Sequence, residues 1–231
     1  KATINFDEDE ICDACRYQDS KALNIDWDKR EDALKSLCDL HRNNNGDYDV
    51  IVPGSGGKDS AYASHVLKYK YGMNPLTVTW APHKYTEIGW KNFENWIHEG
   101  GLDNILFTPN GKLHRYLTKE AFTNLLHPFQ PFIVGQRIIG PMMAAKFNVK
   151  LVFYGENQAE YGNNVDENYT PTMDKKFFSV DDPMDIMLGG KSIRDIISET
   201  DFKLNDFKPY IPPKAEYLES KGVEVHYLGY Y

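Results

Sequence analysis

One short stretch, residues 49–60 (DVIVPGSGGKDS), constrains the fold more than any other part of the chain. It begins with a β-branched run that has the composition of a buried strand. Pro53 and Gly54 end that run, residues 55–57 carry little side-chain bulk, and from Lys58 onward apolar residues recur at helical spacing. A strand, a glycine turn and a helix N-terminus form an anion site, because free backbone N–H groups and the positive end of the helix dipole face the turn. The stretch therefore predicts a cradle for a phosphate or pyrophosphate.

The spacing of the glycines excludes the two common phosphate-binding loops. A Walker A loop built on Gly57 and Lys58 would need its first glycine at Val52, and the residue after the lysine is Asp59 rather than Ser or Thr. The dinucleotide pattern G-x-G-x-x-G starts well in residues 54–56 but needs its third glycine where Asp59 stands.

The remaining pattern, SGGKDS at residues 55–60, resembles the PP-loop of the N-type ATP pyrophosphatases, which split ATP into AMP and pyrophosphate. The plain alternative is a tight turn before a helix. A plain turn, however, requires neither the adjacent glycines nor the Lys-Asp-Ser that follows them.

Composition narrows the class of protein. A length of 231 residues suits one large domain, or one domain with a small appendage. The formal net charge of −8 argues against broad electrostatic capture of nucleic acid. No run approaches the length of a membrane span and no signal peptide is visible, so the sequence predicts a cytoplasmic protein without a membrane partner. Because the chain starts at Lys1 rather than Met and stops soon after a strand-like run, we expect both ends to be cut.

The apolar pattern predicts a doubly wound α/β fold. The first strand, a helix over residues 60–71 and a strand over residues 75–80 form a βαβ crossover, so the sheet is expected to be mainly parallel. Ligands of such sheets bind at the carboxyl ends of the strands. Further strands are predicted at 104–108, 150–154 and 222–228, and further helices at 26–44, 85–99, 117–127, 133–147 and 192–200, on both faces of the sheet.

Charged residues follow two of the predicted strands. Glu156 comes just after strand 150–154, where an acidic side chain is well placed for a magnesium ion bound to phosphates. Lys112, His114 and Arg115 follow the turn after strand 104–108. These cations either bind phosphates of ATP or of a nucleotide-sugar, or belong to a solvated helix start, and the sequence leaves both open.

Cys12 and Cys15 form a Cys-x-x-Cys pair, which is the spacing of half a tetrahedral zinc site. The third cysteine, Cys38, lies in a helical pattern and is expected to pack in the core. A redox disulfide is disfavoured because the pair is not predicted to start a helix in a βαβ unit. A zinc half-site and two ordinary thiols both remain open.

These features divide the chain into three regions. Residues 1–45 hold the Cys-x-x-Cys segment and a helix, residues 46–162 the nucleotide-binding core, and residues 163–231 a less regular region for a substrate or partner that ends in a further helix and strand.

Four stretches together resemble the N-acetyl sugar amidotransferases, bacterial enzymes of surface-polysaccharide (lipopolysaccharide O-antigen) and nonulosonic-acid pathways. They are residues 11–15, 51–60, 105–112 and 154–162, and the resemblance runs across most of the chain. It implies a PP-loop fold similar to the adenine nucleotide alpha hydrolases. Members of that family are longer at the C-terminus, and a further Cys pair is expected ahead of Lys1 to complete a zinc site.

The resemblance implies ATP and Mg²⁺ as cofactors, with structural Zn²⁺ as a further candidate, and a reaction in which AMP is transferred to an acetamido oxygen before ammonia attacks. No glutaminase signature appears, so ammonia is expected from a separate glutaminase subunit. The implied catalytic residues are Lys58, Asp59 and Ser60. The implied ATP-binding residues are Pro53, Gly54, Ser55, Gly56, Gly57, Asp59, Ser60, Trp80 and Gly155. The implied metal ligands are Asp59 and Glu156 for magnesium and Cys12 and Cys15 for zinc, and the implied substrate contacts are Lys112, His114, Arg115 and Asn157.

Two other functions compete with a sugar amidotransferase. A PP-loop tRNA-modifying enzyme would use the same activation step. The negative net charge and the lack of a stripe of clustered Lys and Arg residues weigh against it. A non-catalytic nucleotide-binding module is disfavoured by the intact Lys-Asp-Ser of residues 58–60 and by Glu156.

Overall fold

The computed structural model describes residues 4–156, 169–180 and 182–231. A parallel five-stranded sheet organises this part of the chain, in the order β3-β2-β1-β4-β7, and β5 and β6 form a separate antiparallel pair. The strands are β1 (Val50–Pro53), β2 (Pro75–Trp80), β3 (Asp103–Phe107), β4 (Leu151–Tyr154), β5 (Met187–Leu188), β6 (Lys191–Ser192) and β7 (Glu224–Tyr227). The predicted α/β fold with a mainly parallel sheet is confirmed.

The helices alternate with the strands of the main sheet, as parallel strands require. They are α1 (Asp13–Leu23), α2 (Trp27–His41), α3 (Lys58–His65), α4 (Glu87–His98), α5 (Gly111–Leu125), α6 (Gln130–Phe147), α7 (Ile193–Glu199) and α8 (Ala215–Ser220). A π-helical turn, Val66–Lys70, continues α3 towards β2. None of the helices within the described ranges is long and apolar enough to cross a bilayer.

Alternate residues of β1 point to opposite faces of the sheet, and each face has its own core. Ile51 packs in a cluster that includes residues of α5, α6 and α7. Val50 and Val52 pack in a second cluster with residues of α2 and α3. All three side chains are fully buried, which removes apolar surface from water on both faces at about 1.5–3 kcal/mol for each side chain. Helices therefore cover both faces, as the apolar run of this strand predicts.

Helix α6 packs closely against the sheet at two of its glycines. A Cβ on Gly135 would come within 2.3 Å of the Trp80 ring, and one on Gly140 within 2.6 Å of the Pro53 ring. Both approaches leave no room for a side chain, so these glycines set the distance between α6 and the carboxyl ends of β1 and β2. The polar residues of α6 are thereby fixed above that edge of the sheet.

The C-terminal region contributes directly to the main sheet. Strand β7 pairs with β4 along its whole length, from Leu151 with Glu224 to Tyr154 with Tyr227. Side chains of α7 and α8 belong to the core cluster that covers one face of the sheet. The predicted boundary between residues 162 and 163 lies outside the described residues.

Two helices differ from their predicted extents. Helix α5 was predicted to begin at residue 117 and begins at Gly111, because the Asn110 side chain accepts a hydrogen bond from the backbone N–H of Lys112 and caps the helix. Helix α1 was not predicted, and it starts directly after Cys12. The cysteine pair thus does start a helix, but the described residues around it form no βαβ unit: Phe6 and Cys12 form only an isolated antiparallel bridge.

Candidate active site

The turn between β1 and α3 requires glycine at two positions. Gly56 has a φ of +80°, and a Cβ on it would lie 2.8 Å from the Cα of Phe93. At Gly54 a Cβ would lie 2.1 Å from the Cβ of Ser60. The backbone N–H of Gly54 donates to the carbonyl of Val78 at 2.9 Å, which ties the turn to β2. Gly54 therefore lets the chain fold back tightly on the first turn of α3, and Gly56 lets α4 pack closely against the turn.

Gly57, in contrast, faces open space. A Cβ built on it would meet only the Ser55 hydroxyl, at 4.0 Å. It is the N-cap of α3, whose first-turn N–H groups have no intrahelical acceptor. The buried Ser60 hydroxyl donates to the Gly57 carbonyl at 3.2 Å and steadies this turn. The open space, the N–H groups of the helix N-terminus and the helix dipole together form a cradle that fits a phosphate group.

A cavity opens in front of this cradle and spans the carboxyl ends of four neighbouring strands. Its walls include Val78 and Trp80 of β2, Pro53 of β1, Tyr154 of β4 and Tyr227 of β7. Among the ATP-binding residues predicted from sequence, all but Gly56 and Gly155 line it. The structure thus brings most of the predicted nucleotide site together at one edge of the sheet, where parallel sheets bind ligands.

Two carboxylates line the cavity beside the cradle, Asp59 in the first turn of α3 and Glu156 after β4. Gly155 makes this proximity possible, because a Cβ there would lie 2.4 Å from the carbonyl oxygen of Asp59. Mg²⁺ bound to substrate phosphates commonly takes only one or two protein carboxylates. The pair therefore suits a magnesium–phosphate complex.

Lys58 is exposed beside the cavity rather than part of its lining. Its side chain is 88% exposed, and its Nζ lies 2.6 Å from Oδ1 of Asp59. It is not among the residues that line the cavity. The structure thus places Lys58 next to a candidate magnesium ligand rather than across the phosphate cradle.

Trp80 forms a buried wall of the cavity. Only 2% of the residue is exposed, and its ring lies 5.0 Å from that of Phe107 and 5.2 Å from that of Tyr210. Its Nε1 has no hydrogen-bond acceptor in the described part of the chain. Contact between Trp80 and an adenine stays a prediction.

The cluster of cations predicted after β3 does not line the cavity. Lys112 and Arg115 are exposed on α5, and His114 is buried on the same helix. Nδ1 of His114 lies 2.5 Å from the Tyr210 hydroxyl, and burial, together with nearby His83, lowers its pKa to about 4. This imidazole is neutral near pH 7 and fastens α5 to the C-terminal region. The predicted substrate contact Asn157 lies outside the described residues.

Among the described residues, the cysteine pair gains no further metal ligand. Cys12 and Cys15 are free thiols, and hydrogen bonding from the Cys15 backbone and side chain lowers the pKa of Cys12. Within residues 4–156, 169–180 and 182–231, no group of three or more His, Cys, Asp or Glu side chains could hold a metal ion. The structure therefore does not support zinc here. Cys38 is buried in the core, as predicted, and burial raises its pKa to about 11.

Helix α6 supplies cavity residues that sequence reasoning did not assign, Ile133, Gln136 and Arg137. Their spacing places them on one helical face. The sequence does hold a signal for the two polar ones, because Gln136 and Arg137 are the polar side chains within the apolar stretch 131–145. Met173 and Phe177, which also line the cavity, carry no such local signal, since they reach it only through long-range packing.

Comparison with known proteins yields only distant structural similarity. No protein-family model matches the chain, and a search of curated proteins finds no match. Similar solved structures are an NH3-dependent NAD synthetase from Campylobacter jejuni subsp. jejuni NCTC 11168 (18% identity, TM-score 0.45, 59% of each chain) and an NMN synthetase from Francisella tularensis (16%, 0.45, 60% of this chain and 58% of that one). A predicted subunit of tRNA methyltransferase from Methanocaldococcus jannaschii DSM is also similar (23%, 0.36, 47% and 53%). The chain thus spans under two thirds of the length of each of these proteins, and no reaction follows from similarity at this level.

Proposed function

We propose that this chain is an ATP-dependent, AMP-forming amidotransferase that acts on an N-acetylated sugar or nucleotide-sugar. The observation that carries the proposal is the cradle at Gly57, open to a cavity that Asp59 and Glu156 also line. A site for phosphates and magnesium beside space for a second substrate is what adenylation of an acceptor requires. The choice of acceptor comes from the sequence resemblance.

The proposed reaction has two steps. The acetamido oxygen attacks the α-phosphorus of ATP, the bond between the α- and β-phosphates breaks, and pyrophosphate leaves. Ammonia then attacks the carbon of the adenylated imidate, and AMP departs with the former acetamido oxygen. The acetamido group becomes an acetamidino group. An amide carbonyl is a poor electrophile, so the first step serves to create a good leaving group.

The residues of the turn would position the polyphosphate rather than react with it. Ser55, Gly56, Gly57 and Ser60 would hold the pyrophosphate through backbone N–H and hydroxyl donors. Asp59 and Glu156 would hold Mg²⁺, which offsets phosphate charge when bound. The exposed Lys58 would act mainly on Asp59, through their ion pair.

Ammonia would come from a separate glutaminase subunit, and the reaction would take place in the cytoplasm. The chain alone should then use ammonium salts but not glutamine. Turnover with glutamine and the purified chain alone would contradict the need for a partner.

The test is a product analysis with the purified chain, ATP, Mg²⁺, ammonium and a panel of acetamido sugars and their nucleotide derivatives. At least one acceptor should yield AMP, pyrophosphate and a product about 1 Da lighter, since NH replaces O. With ¹⁸O in the acetamido carbonyl, the label should appear in AMP. AMP release with tRNA and with none of the sugars would overturn the proposal in favour of a tRNA-modifying enzyme.

A further inference from the structure

The corner between α5 and α6 is an exposed surface without charged side chains. Residues 121–136 contain no Asp, Glu, Lys or Arg, and this is the longest such run in the chain. At the average charged fraction of 26%, a run of this length would hold about four. Residues 122–127 of this run are nevertheless exposed. Charged residues normally lie at the surface, so this corner differs from an average exposed segment.

Large apolar side chains cover the corner. Five of them are each at least 45% exposed, and they are Phe122, Leu125, Leu126 and Phe129 around the turn between the helices, and Met187 of β5. The Gln130 side chain donates to the carbonyl of Met187 at 2.9 Å, which holds β5 against the turn. We term these five side chains the apolar corner. Single exposed apolar residues are common, whereas contiguous patches mark interaction sites.

Leu126 has a backbone conformation that disfavours leucine. It ends α5 with a φ of +54° and a ψ of +27°, in the left-handed region where helices usually carry Gly or Asn. The residue is also 82% exposed, so its side chain gains little from packing within the chain. Neither backbone geometry nor burial favours leucine at this position. Contact with another molecule would favour it.

The net charge of the chain indicates which molecule fits. At −8, two copies repel each other at most orientations, and an uncharged apolar face lets them approach with the least repulsion. A basic partner would instead be attracted to acidic surface. A two-fold contact sets the same patch against itself, and residues 121–136 bring no like charges together across the axis.

We propose that the apolar corner is the two-fold interface of a homodimer of this chain. Packing one corner on another removes apolar surface of both copies from water, which drives association. The corner also borders the candidate active site, because Ile133 lies one helical turn after Phe129 on α6 and lines the cavity. In the dimer, the second copy would lie beside the rim of that cavity.

The test is sedimentation equilibrium of the full chain between about 1 and 100 μM. The wild type should shift from monomer to dimer over this range. Leu126→Asn suits the left-handed backbone but removes the apolar contact, twice in each dimer, so the dissociation constant should rise about tenfold or more. At a concentration where the wild type is monomeric, its urea midpoint should be no lower than that of the wild type.

Leu40→Asn is the matched control. Leu40 is 75% exposed on α2, and α2 packs on the other face of the sheet. This variant should dimerise as the wild type does. Amide hydrogen exchange locates the interface without any substitution: peptides covering residues 121–132 should exchange more slowly at high protein concentration, and peptides of α2 should not.

Three results would overturn the homodimer: a wild type that stays monomeric at about 100 μM, a dimer that Leu126→Asn leaves unchanged, or concentration-dependent protection found only outside the corner. A monomeric wild type would leave the corner to a different subunit. None of these measurements uses ATP or an acceptor. Failure of the proposed reaction would therefore leave the homodimer standing, and failure of the homodimer would leave the reaction standing.

Discussion

At the scale of single residues, Gly57 and Gly155 differ in role: the first serves ligand binding and the second serves folding. A Cβ at Gly57 would enter open space, whereas one at Gly155 would clash with the backbone of Asp59 at 2.4 Å. The two positions therefore require glycine for different reasons. One leaves room for a ligand, and the other lets β4 approach α3.

Gly57→Ala should fold as the wild type does and bind ATP about tenfold more weakly or worse, because the added methyl group occupies the phosphate space. Gly155→Ala should instead lower the free energy of unfolding by about 1–3 kcal/mol, because backbone must move to admit the Cβ. Urea unfolding and ATP titration of both variants check the pair. Equal losses of stability in the two variants would contradict this assignment.

Asp59 is the carboxylate whose loss should be most damaging to the reaction. Asp59→Asn keeps the size of the side chain but removes the charge proposed to hold magnesium, so kcat should fall by roughly a hundredfold or more. The side chain is 43% exposed and forms an ion pair with the exposed Lys58, so the melting temperature should hardly change.

Asp32→Asn provides the control for that variant. Asp32 is also an exposed carboxylate next to a lysine, 3.2 Å from Lys35, but it lies on α2 away from the cavity. Its loss should leave kcat unchanged. Activity of Asp59→Asn within a fewfold of the wild type would remove Asp59 from the magnesium site.

At the scale of elements, α5 is fastened to the segment Leu204–Tyr210 through His114 and Tyr210. Burial and nearby His83 lower the pKa of His114 from 6.5 to about 4, so the folded chain keeps this imidazole neutral where the unfolded chain would protonate it. Its contribution to stability is therefore present above pH 6.5 and is lost as the pH falls towards 4.

Lowering the pH from 7 to 5 should therefore reduce the free energy of unfolding by about 2 kcal/mol through His114 alone. His114→Gln should abolish that part of the pH dependence, and urea titrations at the two pH values measure it. His98→Gln removes an exposed histidine and should keep the wild-type dependence. An unchanged difference between pH 7 and pH 5 in His114→Gln would contradict a buried neutral imidazole.

The elements also show what the sequence could and could not predict. The βαβ unit around β1 and β2 follows from local patterns, because a β-branched run, a glycine turn and helical spacing all lie within a few residues of each other. The placement of His114 does not follow, since its burial depends on Tyr210, far away in the chain. Phe177 likewise reaches the cavity only through the packing of the C-terminal region, which no local pattern encodes.

At the scale of the whole molecule, the net charge of −8 makes a polyphosphate an unfavourable ligand unless its charge is offset locally. The phosphate site provides helix dipole and backbone N–H groups, but the two side chains beside it, Asp59 and Glu156, are themselves negative. Binding of ATP should therefore depend strongly on a divalent cation. The cation would convert the repulsion of these carboxylates into coordination.

Thermal unfolding tests this dependence on the intact chain. A ligand at a hundred times its dissociation constant stabilises the folded state by about 2.7 kcal/mol, which for a chain of this size raises the melting temperature by roughly 5–10 °C. ATP with Mg²⁺ and no acceptor should reach that shift, whereas ATP with EDTA should give much less. Asp59→Asn should lose the difference between the two conditions, and Asp32→Asn should keep it. An equal shift with and without Mg²⁺ would mean that the carboxylates do not meet the nucleotide through a metal ion, and would place the phosphates elsewhere in the cavity.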